Sequence, residues 1–157
     1  MRIGIGYDVH RLVSDRKLVL GGVKFDYELG LLGHSDADVL THAIMDAILG
    51  ALAQADIGKL FPDTDPKYKD ISSIVLLDDV VKFMDDKGYK IGNIDTVVIC
   101  ELPKISPKRE EIRQLLATHL KTDIENVSVK ASTSEGLGFT GKALGIEARA
   151  VVILEEK

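Results

Sequence analysis

Ile146-Glu147-Ala148-Arg149-Ala150-Val151-Val152-Ile153-Leu154 ends in five consecutive apolar residues, and Val97-Val98-Ile99-Cys100 is a second unbroken apolar run. Strands with apolar side chains on both faces need cover on both sides. Two arrangements supply it: helices on one face with another subunit on the other, or helices on both. Pattern alone leaves these two open.

Moving outward, Val39, Leu40, Ala43, Ile44, Ala47, Ile48, Ala51 and Leu52 recur at three- and four-residue intervals, which predicts a helix over 36–54 with one apolar stripe. Ser35 with Asp38 three residues later reads as its capping box. Residues 2–10 and 18–25 read as two strands joined in a hairpin, and 55–70, with Gly58, Pro62 and Pro66, as a structured loop. Further helices are expected over 72–87, stopped by Gly88, and over 108–120, with strands at 94–101, 127–131 and 146–154. The order ββ-αα-β-α-ββ, without linker or repeat, predicts one α+β domain over residues 1–157.

The chain has 157 residues, enough to bury a core without disulfides or a structural metal. Twenty Lys and Arg against 25 Asp and Glu leave a net charge of -5, the wrong sign for a general grip on nucleic acid. The single cysteine, Cys100, forms no intrachain disulfide and fits a reducing compartment. No apolar run approaches the roughly 20 residues of a membrane helix. Arg2 to Gly6 leads directly into Asp8 and His10 without a leader-like pattern, so a cytoplasmic location is expected.

Asp8-Val9-His10 lies on an expected strand, where residues two apart share a side, so carboxylate and imidazole can converge on one point. Taken alone, that spacing more often marks an exposed strand end. His42 stands off the apolar stripe, with Asp46 one turn on, positioned either to orient a ligand imidazole or to face solvent. Two His and one Asp would make the three-ligand set of a catalytic zinc with an open fourth position. The helix start near Ser35 offers free N–H groups to a phosphate, and His34 beside it can donate or merely cap. Lys130 to Lys142 brings Ser132, Thr133, Ser134, Glu135 and three glycines off one strand. That mix suits phosphate and a hard cation, or an ordinary Gly-rich turn.

Together these residues resemble the 2-C-methyl-D-erythritol 2,4-cyclodiphosphate synthase family. Asp8-Val9-His10 is similar to its first metal motif and Gly33-His34-Ser35-Asp36-Ala37-Asp38-Val39 through His42 to its second. Asp56-Ile57-Gly58-Lys59-Leu60-Phe61-Pro62-Asp63-Thr64-Asp65-Pro66 is similar to the third and Leu137-Gly138-Phe139-Thr140-Gly141 to the last. The likeness covers essentially the whole chain in order and spacing.

The resemblance implies a sheet with helices packed on one face, in a homotrimer whose sheets face the three-fold axis and whose active sites lie between subunits. It implies zinc on Asp8, His10 and His42, and magnesium or manganese on Glu135. Substrate contacts are implied for Asp8, Val9, His10, His34 and Ser35, and, around the methylerythritol phosphate, for Asp56, Ile57, Gly58, Phe61, Pro62, Asp63, Thr64 and Asp65. Cys100, Glu101, Leu102, Pro103, Lys104, Ile105 and Ser106 resemble the cytidine pocket. Ser132, Thr133, Ser134, Glu135, Phe139 and Lys142 complete the set, and His34 and Thr133 resemble transition-state stabilisers. Ser132 stands where Thr is familiar and Lys142 where Arg is usual, and Lys lacks the bidentate fork of Arg. The implied reaction closes a CDP-linked 2-phosphate into a cyclic diphosphate with release of CMP. A zinc-dependent phosphohydrolase is the alternative reading of the same residues.

Overall fold

The computed structural model describes residues 1–157, and in it the C-terminal apolar run lies in β7 (Gly145–Glu156), the middle of a five-stranded sheet. The order is β4 (Gly30–Leu31), β1 (Arg2–Val13), β7, β5 (Tyr89–Ile99), β6 (Val127–Ser132). β1 and β5 flank β7 antiparallel, whereas β5 and β6 are parallel. Parallel neighbours need a crossover, and α4 (Arg109–His119) lies within it.

The expected hairpin between residues 2–10 and 18–25 is not formed. β1 pairs instead with β7, Arg2 opposite Leu154 through Arg11 opposite Gly145, because the central apolar strand needs a partner on each edge. Residues 18–25 fold back on themselves as β2 (Leu18–Leu20) and β3 (Val23–Phe25). The turn is Gly21-Gly22, both at positive φ, the conformation a two-residue hairpin turn requires.

The helix expected over 36–54 is α1 (Val39–Ala51), capped by Asp38 rather than Ser35. The Asp38 carboxylate accepts from Thr41 N (3.0 Å), Thr41 Oγ1 (2.7 Å), Gly21 N (2.9 Å) and Gly22 N (2.7 Å), tying the β2–β3 turn to the helix start. This carboxylate occupies one of the free N–H groups that the sequence offered to a phosphate, that of Thr41. α1 is also buried almost all round rather than along one stripe, with only Asp46 and Gly50 not buried. The sheet lies on one side of it and α3 (Ser73–Asp86) on another.

Gly4 and Gly6 bring α1 onto the sheet. A Cβ at Gly6 would lie 1.8 Å from Ala43 O, and one at Gly4 would lie 1.9 Å from Ala47 O. Ala43, Ala47 and Ala51 form the matching small ridge on the helix. Gly6→Ala is therefore expected to push α1 outward and destabilise the fold by about 3 kcal/mol, since the clash is with backbone. A denaturation midpoint equal to wild type would contradict that contact.

Even-numbered residues of β1 face the helices, and the odd-numbered Ile3, Ile5, Tyr7 and Val9 face outward and are exposed, with Val151 of β7 beside Ile5. Helices therefore cover one face, as expected, and the other is left open in the single chain. The expected loop over 55–70 carries the short helix α2 (Ile57–Leu60) and a 3-10 turn at Pro66–Tyr68, and the Gly-rich segment carries the one-turn α5 (Gly138–Gly141).

Candidate active site

Close packing of α1 on β1 carries His42 to the side chains of Asp8 and His10, which share the helix-facing side of the strand. Asp8 Oδ2 lies 2.9 Å from His10 Nε2 and 3.1 Å from His42 Nδ1, and the two ring nitrogens are 3.3 Å apart. Tetrahedral zinc bound at about 2.0–2.1 Å sets its ligand atoms roughly 3.3 Å from one another, close to this spacing. His10 Nδ1 is 2.8 Å from Leu32 O, and a carbonyl only accepts, so that nitrogen carries a proton and Nε2 is the one available to Asp8 or to an ion. The donor set, two imidazoles and one carboxylate, therefore fits a divalent metal.

A cavity of about 210 Å³ opens beside the triad, lined also by Gly33, His34, Ser35, Ile57, Gly58, Phe61, Asp63, Tyr68 and Leu76. Ser35 Oγ accepts from Ala37 N at 3.2 Å and sits 3.2 Å from His42 Nε2. His34 Nε2 lies 3.1 Å from Asp65 O, linking the triad loop to the 56–65 loop. Asp56 caps α2 through Lys59 N, and Asp65 accepts from Lys67 N at 3.0 Å. Asp56, Pro62, Thr64 and Asp65 do not line this cavity; Val9 faces the other side of the strand.

A second cleft of about 180 Å³ is formed by Cys100, Glu101, Pro103, Lys104, Ile105, Ser106, Arg109, Ala131, Ser132 and Thr133. Leu102 is exposed and outside it. Glu101 Oε1 accepts from Ser134 N (3.1 Å) and Gly136 N (3.4 Å), shaping the turn that bears Glu135. Glu135 has φ +53° and takes a 3.4 Å contact from Thr133 Oγ1. It stands outside the triad. Phe139 lines a third pocket with Val9, His10 and Leu144, and Lys142 is exposed beside it.

The triad cavity and the 100–106 cleft do not meet within one chain. Asp8 is in register with Ala148, then Val98, then Ala131, so three strand spacings, about 14 Å, separate the triad's strand from the second cleft.

The YgbB family model matches residues 1–155. The chain belongs to that family. A relative in Clostridium acetobutylicum, named 2-C-methyl-D-erythritol 2,4-cyclodiphosphate synthase, is 58% identical over 98% of this chain and 99% of its own length. The structure of IspF from Plasmodium falciparum in complex with CDP is similar at a TM-score of 0.88 and 40% identity, covering 99% of this chain and 96% of that one. Bifunctional IspDF of Campylobacter jejuni is similar at a TM-score of 0.95 and 38% identity over 99% of this chain, which spans 42% of that protein's length.

In this YgbB-family chain the partner expected to orient His42 is not the one found. Asp46 turns away and accepts from Ile57 N at 2.9 Å, anchoring the 56–65 loop to α1. His42 Nε2 meets Ser73 Oγ instead, at 2.8 Å. Tyr68, Leu76, Ser73 and Arg109 had no motif to announce them. Tyr68 packs edge-on against Phe61 with ring centroids 5.4 Å apart, a pairing that exists only once the loop is folded.

Burial opposes the ionised form of Asp8, yet hydrogen bonds from His10 and His42, with their charges, hold its pKa down to about 2. Burial likewise works against charged His10, but its hydrogen bond to Asp8 and that carboxylate's charge raise its pKa above 6.5. Asp8's depressed value gives stability that is present above pH 3.8 and lost as the pH falls towards about 2. His10's raised value gives stability complete below pH 6.5 and lost as the pH rises through that value. Chelator-treated protein should therefore melt at lower temperature as the pH is taken from about 6 to about 9. A midpoint that rises over that range would contradict the Asp8–His10 coupling.

Proposed function

We propose that the chain converts 4-diphosphocytidyl-2-C-methyl-D-erythritol 2-phosphate to 2-C-methyl-D-erythritol 2,4-cyclodiphosphate and CMP, a step of the non-mevalonate isoprenoid pathway. The observation that carries this reading is the convergence of Asp8, His10 and His42 on one point in a YgbB-family chain whose full-length relative bears the synthase name. Asp8, His10 and His42 would hold zinc, and Glu135 a magnesium or manganese ion. Bound there, such cations offset negative charge and polarise phosphoryl oxygens.

The chain's own residues do the rest. The 100–106 cleft takes the cytidine, with backbone N–H and C=O groups of the loop facing the base edge, and the triad cavity takes the methylerythritol phosphate against Asp56, Ile57, Gly58, Phe61, Pro62, Asp63, Thr64 and Asp65. Val9, Ser35, Ser132, Ser134, Phe139 and Lys142 complete the substrate contacts. His34, held against Asp65 O, and Thr133, beside Glu135, hydrogen-bond to phosphoryl oxygens as charge shifts. An oxygen of the 2-phosphate attacks the β-phosphorus, the bond to the CMP oxygen breaks, and an eight-membered ring closes. Both reactants lie on one molecule, so holding it folded can lower the barrier by about 7–11 kcal/mol. No protein nucleophile is required. Burial, followed by the charge of Glu101, pushes the Cys100 thiol up to about 11, so it offers no thiolate near neutrality.

The reading includes a homotrimer. The exposed row Ile3, Ile5, Tyr7, Val9 and Val151 supports burial of the open sheet face around a three-fold axis. The separation of the two cavities supports active sites completed between subunits, triad from one and cytidine cleft from its neighbour. Residues 1–157 would act as one synthase domain in a cytoplasmic setting, which the single cysteine supports.

Incubation with the CDP-linked substrate, followed by phosphorus NMR, tests the assignment. CMP with a cyclic diphosphate is the expected outcome. CMP with a linear phosphate would instead make the protein a zinc phosphohydrolase.

A further inference from the structure

His42 carries two nitrogens, and only one can turn a lone pair towards Asp8 and His10. Which one does so is decided on the far side of the ring. Ser73, the first residue of α3, is fully buried, and its Oγ is 2.8 Å from His42 Nε2. The same hydroxyl donates to Asp36 Oδ1 in a short contact, and Ser73 N donates to Asp36 Oδ2 at 2.9 Å. Asp38 N also donates to Asp36 Oδ1, at 3.1 Å.

A serine hydroxyl has one proton. With that proton given to Asp36, Ser73 Oγ faces His42 as an acceptor, so Nε2 carries a proton and Nδ1, beside Asp8 Oδ2 at 3.1 Å, is the nitrogen left for an ion. Ser35 Oγ, at 3.2 Å from the same Nε2, is farther away and has no carboxylate behind it. Leu32 O performs the matching task for His10 by accepting from Nδ1. His10 Nδ1–H and His42 Nε2–H are then held outward, and the opposite ring nitrogens, which donate to Asp8 when protonated, are the pair left to turn lone pairs to an ion.

We propose that Ser73, backed by Asp36, is a positioning residue that fixes the tautomer and ring orientation of His42 for metal binding. The inference rests on the reading of Asp8, His10 and His42 as a zinc site. It adds Ser73, from outside the motifs, and Asp36, from the second motif, to that site and gives the start of α3 a role in it. Partners behind a metal-bound histidine are typically worth 10–100-fold in metal affinity.

Ser73→Ala isolates the hydroxyl, because the backbone N–H of that residue still reaches Asp36 and anchors α3. Full-length wild type and Ser73→Ala are titrated with zinc against a competing chelator. The thermal midpoints of their chelated forms are compared, and the His42 ring nitrogens of ¹⁵N-histidine-labelled, zinc-loaded protein are read by NMR. The expected result is roughly 10–100-fold weaker zinc binding in the variant, a nearly unchanged chelated midpoint, and a His42 Nε2–H that exchanges faster with solvent. Equal zinc affinity in the two proteins overturns the proposal and leaves the zinc reading standing. Weaker binding with an unchanged His42 Nε2–H exchange also overturns it. Wild type that binds no zinc takes both down. If Ser73→Ala does not fold, the zinc-loaded wild-type spectrum decides: an Nε2–H that exchanges freely with solvent, or zinc on Nε2, sinks the proposal, and an exchange-protected Nε2–H supports it.

Discussion

His42→Ala is expected to leave a folded chain that no longer retains zinc and turns over the CDP-linked substrate roughly 10³-fold more slowly. The ring is the only triad member supplied by a helix, and the other two are neighbours on a single strand. Without it, Asp8 and His10 remain 2.9 Å apart with no third donor to enclose an ion. Its loss also leaves Ser73 Oγ and Asp8 Oδ2 each short of one partner, at a cost of about 1–3 kcal/mol, which the large core of this chain can absorb. Metal analysis, CMP release and a melting curve on the same preparation separate the effects. Wild type stripped with chelator should match the variant in activity and regain it with added zinc, whereas the variant should not. Turnover within a few fold of wild type in His42→Ala would remove the metal from the reaction.

Ile5→Asp is expected to be nearly as damaging without touching the triad. Ile5 is 73% exposed on the open face of β1, opposite Val151, and points away from Asp8 and His10. Around a three-fold axis three such carboxylates would be desolvated close together, an arrangement costing several kcal/mol. The protein should then run as a single chain by light scattering, hold its zinc in a site built within one subunit, and lose roughly 10²-fold or more in turnover. The loss follows from geometry, because the 100–106 cleft of the same subunit, proposed for the cytidine, lies about 14 Å from the triad's strand. A single chain with full activity would refute the shared site, and an intact trimer would refute the interface.

These two substitutions mark where sequence and structure divide the information. Asp8 and His10 were legible because a strand's two-residue period is local and puts both on one side. His42 was legible as a polar residue off an apolar stripe, although α1 turned out to be buried almost all round. Asp46 was misread for the same reason. Helical spacing put it below His42, but the loop at Ile57 offered an unpaired N–H, and the carboxylate went there. The strand pairing was misjudged although a local signal was present, since Gly21-Gly22 between two apolar triplets marks the tight turn that takes residues 18–25 out of the main sheet.

The sequence by itself determined the types of the longer elements, the three side chains of the candidate metal triad and the two motif-rich loops, because propensity, periodicity and residue chemistry act over a few positions. Only the tertiary structure decided that β1 lies against β7, more than a hundred residues away. It also decided that Gly4 and Gly6 let α1 approach until His42 reaches Asp8, and that Ser73 and Asp36 hold the far side of that ring. Those are contacts between distant segments, selected by burial of the apolar core and by pairing of buried polar groups, and no short stretch of the chain contains them.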